Sequence, residues 1–203
     1  MNIRFGRALC ADLAQSERRE WLVTNGLGGY ACGTVAGLLT RRYHGLLVAA
    51  TSPPVGRSLL IPKIDETLTY GGRAVALGAN RWASGAVDPQ GFLALESFAL
   101  DGKVPVWRYA IDDAIVEKRV WMPYGANATY VRYDLVRATA PSTLALKVFA
   151  DGRDHHGTTR ASGAPPLIES QPDGFRFAPA SVAPNVAVRC VAMSWRIDGT
   201  WYY

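Results

Sequence analysis

Cysteine is scarce in this 203-residue sequence, and the three present, Cys10, Cys32 and Cys190, are widely spaced and form no C-x-x-C pair. An odd, dispersed set argues against both a disulfide framework and a thiolate zinc site, and suggests a reducing cytoplasm. Long apolar runs are missing too. None approaches the roughly 20 residues of a membrane-spanning helix, and Asp12 interrupts the stretch from Met1 to Gln15 before an apolar segment of signal-peptide length can form. Without such a signal the triplet Asn127-Ala128-Thr129 carries no meaning as a glycosylation acceptor. The formal charge of +5 makes the chain mildly basic. Its arginines are nevertheless scattered and form no run interleaved with aromatics, which disfavours nucleic acid as a partner. Finally, no window of 11 residues sustains a 3.6-residue apolar repeat.

What remains is strand after strand. Short apolar segments recur with turn residues between them, the pattern of antiparallel sheets packed face to face. Gly71-Gly72 predicts a hairpin between Leu59–Leu68 and Arg73–Leu77, and Asp101-Gly102 predicts another between Phe92–Phe98 and Val106–Ile111. Ile115–Met122 follows, with its arginine and lysine expected on the solvent side. Val131, Tyr133 and Leu135 alternate with Arg132 and Asp134, as one buried and one wet face require. Leu144, Leu146 and Val148 repeat that period, and Val186, Val188 and Cys190 begin a last strand. Between 161 and 184 proline and glycine predict a long loop with a small hairpin at Asp173-Gly174. The expectation is an all-β antiparallel sandwich over residues 1–203, with few or no helices and no internal domain boundary.

The densest stretch is Glu20 to Ala50, EWLVTNGLGGYACGTVAGLLTRRYHGLLVAA. Asn25-Gly26 is a turn signal between the apolar runs Trp21–Val23 and Tyr30–Val35. Gly26 to Ala31 formally matches the dinucleotide fingerprint G-x-G-x-x-A. That fingerprint needs a helix opening at its last glycines and an acidic residue about 20 positions on. Here Gly33, Thr34, Val35 and Gly37 disfavour a helix, and no Asp or Glu occurs between Glu20 and Asp65. Nucleotide binding is therefore set aside.

Glu20–Ala50 strongly resembles the N-terminal domain of the bacterial and archaeal type of glycogen debranching enzyme. The similarity continues through Pro53-Pro54, Arg57, Asp65-Glu66, the Pro-x-Trp-x-Tyr at Pro105 to Tyr109, and Arg153-Asp154-His155. It implies a supersandwich-like β domain that precedes an (α/α)6 barrel carrying the amylo-α-1,6-glucosidase chemistry. The chain is then expected to be a fragment, ending in the aromatic run Trp201-Tyr202-Tyr203, inactive alone, with the catalytic barrel and glycogen or another α-glucan as partners. No cofactor is implied.

Two concentrations of polar chemistry are candidates for substrate binding or for the domain interface. Arg42, Tyr43 and His44, beside the turn residues Asn25 and Gly26, offer hydrogen bonds to hydroxyl groups and a ring to stack on a sugar. The competing reading packs Tyr43 in the core, with Arg42 and His44 tying down the neighbouring loop. Arg153, Asp154 and His155, with His156 next to them, form the second group. There an Arg153–Asp154 pair in a hydrogen-bonded loop is expected rather than a metal site, since no third ligand lies at usual spacing. A glycosidase needs two carboxylates across one bond. Asp65 and Glu66 are adjacent on a strand and point to opposite faces, and Asp112-Asp113 sits at a turn, so no catalytic residue is assigned. A stand-alone carbohydrate-binding module and a purely structural domain remain as alternatives.

Overall fold

The computed structural model describes residues 3–53, 55–159, 167–179, 184–191, 194 and 196. Strand makes up 55% and helix 7% of it, so the all-β expectation holds. In chain order the strands are β1 (Arg4–Gly6), β2 (Glu20–Thr24), β3 (Tyr30–Thr34), β4 (Gly45–Ser52), β5 (Gly56–Ile61), β6 (Ile64–Tyr70), β7 (Arg73–Ala76), β8 (Ala79–Arg81) and β9 (Val87–Gln90). They continue as β10 (Leu95–Asp101), β11 (Val104–Ile111), β12 (Ala114–Trp121), β13 (Tyr130–Arg137), β14 (Ser142–Val148), β15 (Arg153–Asp154), β16 (Leu167–Gln171), β17 (Gly174–Ala178) and β18 (Val186–Arg189). The two α-helices, α1 (Arg7–Cys10) and α2 (Leu13–Ser16), are single turns.

One five-stranded sheet runs in the order β1-β10-β11-β12-β13 and a second in the order β15-β5-β4-β3-β2. A three-stranded sheet, β14-β6-β7, carries the chain between them. Every pairing is antiparallel. Besides a second, smaller cluster of Ala36, Leu38, Ala79 and Phe92, the sheets share one large apolar core. Its centre is Trp107 on β11, packed edge-on against Trp21 of β2 at 5.2 Å and against Phe98 of β10 at 5.1 Å. Burial would strand the Trp107 indole N–H, which instead donates to the Val35 carbonyl at 3.0 Å. Apolar area removed from water on this scale is the main favourable term in folding. Ordering of the second sheet follows from it: Trp21, Val23 and Ala31 face the core, while Leu22 on β2 and Tyr30 and Cys32 on β3 face outward.

The hairpins at Gly71-Gly72, Asp101-Gly102 and Asp173-Gly174 form as expected. Other details differ. Leu59–Leu68 is not one strand: it breaks at Pro62-Lys63, where proline removes a ladder donor, and β5 and β6 belong to different sheets. Gly91–Ala94 is a 3₁₀ turn, so that strand starts only at Leu95. On β13, Val131 and Tyr133 are half-buried as alternation requires, but Leu135 is 50% exposed. A register shift between Ile115 and Val116 on the paired strand coincides with that lapse. The middle of the expected loop over 161–184 is instead the β16–β17 hairpin, while its flanks 161–166 and 180–183, with Pro54, Trp201, Tyr202 and Tyr203, lie outside the described residues. Among the described residues no helix is long and apolar enough to cross a membrane.

Candidate functional site

The turn between β2 and β3 is built around Asn25, a fully buried residue. Its Oδ1 accepts from the backbone N–H groups of Leu27 and Gly29, each at 2.9 Å. Its Nδ2 donates to the Ala126 carbonyl at 3.0 Å and to Asn127 Oδ1 at 2.9 Å. Both donors and both lone pairs are thus used inside the domain. Gly26 has φ of +77°, which favours glycine, and a Cβ there would lie 2.3 Å from the Tyr124 ring as it is placed. Asn127 extends the link, pairing its amide with the N–H and carbonyl of Ala50 on β4. Sequence reasoning singled out the turn but not Asn127, whose role depends on a chain crossing that no local motif announces.

Arg42, Tyr43 and the 153–157 loop meet on the outer face of the second sheet. Arg42 Nη1 donates to the His156 carbonyl at 2.9 Å, and Arg153 Nη2 returns a bond to the Arg42 carbonyl at 2.6 Å. The Tyr43 hydroxyl lies 3.2 Å from His156 Nδ1, and the two rings stand edge-to-face at 5.7 Å. Beneath, the hydroxyl of Tyr30 donates to the Tyr43 carbonyl at 3.2 Å. Two segments more than 100 residues apart therefore form one surface, with Tyr43 42% exposed at its centre. Arg57 joins it to the glycine-rich turn: its Nε donates to the Gly28 carbonyl at 2.5 Å, and its own carbonyl accepts from His155 N–H at 3.2 Å.

Arg153 is the pin of this arrangement. Besides Arg42, its guanidinium reaches the carbonyls of Asp154, His155 and Gly157, and its ion pair is with Asp151 at 3.3 Å. The expected Arg153–Asp154 pairing is thus corrected. The Asp154 carboxylate turns instead to the His156 backbone N–H at 2.8 Å, the Asx turn its short side chain favours.

His44 points the other way. It is 2% exposed, its Nδ1 accepts from Thr40 N–H at 3.1 Å, and its Nε2 faces Glu20 Oε1 at 3.3 Å without the alignment of a hydrogen bond. The neutral tautomer therefore carries its proton on Nε2. Burial holds the His44 pKa below the ordinary 6.5 despite the nearby Glu20 carboxylate. His155 is also buried, with an unpartnered Nδ1, and its pKa is lowered by burial and then by His156. The Cys32 thiol on the same face is pushed up to about 11 by burial, which makes it a poor nucleophile. Of the candidate residues, Arg42 and Tyr43 are at the surface with Asp154, whereas the side chains of Asn25, His44 and His155 support it from below. Tyr43 does not pack in the core.

The carboxylates elsewhere are engaged in structure. Glu66 is buried between Lys118 Nζ at 2.5 Å and the Tyr133 hydroxyl at 2.7 Å, while Asp65 pairs with Lys63 at 2.6 Å and accepts from Asn80 Nδ2 at 2.7 Å. Asp113 accepts from the Tyr70 and Thr139 hydroxyls, which lower its pKa. Among the described residues no three His, Cys, Asp or Glu side chains are gathered as a metal site.

Fold and loops together define an all-β sandwich domain whose exposed chemistry is polar and aromatic and lies in the connections. A comparison with models of known families matches residues 19–203 to the glycogen debranching enzyme N-terminal domain, and the chain belongs to that family. No curated protein and no solved structure matches it.

Proposed function

We propose that residues 1–203 form one non-catalytic domain of a glycogen-debranching α-1,6-glucosidase, packing against a helical catalytic barrel and helping to shape its glucan-binding cleft. The observation that carries this reading is the convergence of Arg42 and Tyr43 with the loop ending at His156. Guanidinium, phenol and imidazole groups there offer hydrogen bonds to sugar hydroxyls, and the half-exposed ring offers a face for the apolar side of a pyranose. Membership of the family supports a glucan as ligand and a glucosidase as the enzyme. The engagement of Asp65, Glu66 and Asp113 in internal bonds supports leaving the hydrolytic carboxylates to the partner domain.

The test is kinetic. In the chain joined to its catalytic domain, Tyr43→Ala and Arg42→Ala should each lower kcat/KM on branched dextrin about fivefold, the equivalent of about 1 kcal/mol of lost contact. Unchanged kinetics with a lowered Tm would make the cluster structural. The isolated chain should release no glucose from limit dextrin. Release abolished by a single carboxylate substitution within it would overturn the non-catalytic reading.

A further inference from the structure

Tyr124 is 89% exposed, yet the loop that carries it is tied by hydrogen bonds to the Asn25 turn and to β4. The N–H of Gly125 donates to the Asn25 carbonyl at 2.7 Å, the Ala126 carbonyl accepts from Asn25, Asn127 is clamped to Ala50, and the Thr129 hydroxyl donates to the Leu46 carbonyl at 2.6 Å. The phenol ring rests on Gly26, where there is room only because that residue has no Cβ. A large aromatic presented to water from a fixed backbone gains nothing for folding, since its apolar area stays wet. The backbone that carries it loses little entropy on binding, because it is already fixed.

A second aromatic feature lies at the same end. Trp121 and Tyr130 face each other across β12 and β13, with ring centroids 5.4 Å apart and planes inclined by only 8°; Tyr130 is 53% exposed. Only Met122 and Pro123 separate Trp121 from Tyr124, a span of at most about 10 Å between Cα atoms. The charges bordering this pair on the sheet are balanced. Arg119 is paired with Asp101 and Glu117, and Arg132 with Asp134. A ligand bearing phosphates or carboxylates would find its cations already spoken for, whereas a neutral polyhydroxylated chain meets aromatic faces and no net field.

We propose that Tyr124, with the Trp121–Tyr130 pair, is a glucan-stacking site additional to the Tyr43 cluster, gripping a chain of neutral α-linked sugars. This rests on the glucan reading given above. The glycine-rich turn lies between the two surfaces, touching Tyr124 through Gly26 and Arg57 through Gly28, so one long chain can engage both.

The test is affinity electrophoresis of this chain in gels cast with glycogen, with maltoheptaose as competitor. The chain should be retarded. Tyr124→Ala and the double variant Trp121→Ala/Tyr130→Ala should each weaken retention about fivefold or more, the loss of one stacked ring, while Tyr124→Phe keeps it. Since Tyr124 is exposed, its alanine variant should melt with the parent, and Tyr124→Phe guards against a folding artefact in any case. Loss of retention with Tyr43→Ala but not with Tyr124→Ala would overturn this site and leave the loop cluster standing. Loss with Tyr124→Ala but not with Tyr43→Ala would uphold it and count against the cluster. An unretarded parent chain, or a Tyr124→Ala effect traced by sedimentation to a dissociated dimer, would overturn it.

Discussion

Asn25 shows what a single side chain contributes when all of its hydrogen-bonding capacity is spent inside the fold. Replacing it with alanine removes four bonds and leaves buried amide and carbonyl groups without partners, at a cost of about 2–3 kcal/mol. Asn25→Asp should be at least as damaging at neutral pH, because a carboxylate cannot donate to the Ala126 carbonyl or to Asn127 Oδ1. Denaturant titration should find that this variant, unlike the alanine one, recovers stability on acidification as the buried acid takes up a proton. Histidine gives the opposite sign. His44 and His155 have pKa values depressed in the folded protein, so the unfolded chain binds more protons near its ordinary 6.5. Their contribution is complete above that pH and is lost as pH falls below it. Tm measured from pH 7.5 to 5.5 should decline, and less steeply in His44→Gln. At this scale the turn at Asn25-Gly26 was legible, because its signal is local. The partners Asn127 and Glu20 were not legible, since each is set by how distant strands register.

Among the elements, β12 marks where pattern reading stopped. Its lysine was expected in solvent, but Lys118 turns inward to the buried Glu66 of β6 and lies 5.5 Å from the Trp107 ring. Periodicity ranks a lysine as outward because a lone ammonium is costly to bury; it cannot see the Glu66 carboxylate that another sheet brings to meet it, shared with the Tyr133 phenol of the neighbouring strand. The contact joins the first sheet to the β14-β6-β7 sheet. Lys118→Ala should therefore destabilise by about 3–5 kcal/mol, the cost of stranding a buried charge, whereas the double variant Lys118→Met/Glu66→Leu should recover much of that loss in urea titration. The break at Pro62 was visible in the residue itself and was outweighed by the apolar run around it. The hairpins at Gly71-Gly72 and Asp101-Gly102 were read correctly, because two-residue turns of this kind fix the pairing of the strands they join.

Across the whole molecule, the sandwich was legible from alternation and turn spacing, and both polar loops were legible as concentrations of unusual residues. That they would form one surface was not, since it depends on β15 pairing with β5 and on the 40–44 loop folding over the same face. Arg153 holds that junction. Arg153→Ala should cost about 2–3 kcal/mol through its lost ion pair and carbonyl contacts, lowering Tm by about 5–10 °C in a chain of this size. The loss of the edge-to-face contact between Tyr43 and His156 should show in the near-ultraviolet spectrum. The junction also has a timetable. A chain emerging from the ribosome can complete the β2–β4 meander early, because those contacts are local. Its Arg42–Tyr43 loop must wait for more than 100 further residues before the 153–157 segment arrives. The Arg42–Tyr43 surface is thus the last part of the second sheet to close, because β15 reaches that sheet only after β2 to β5 have paired, and the core still awaits Phe177 and Val186 when it does.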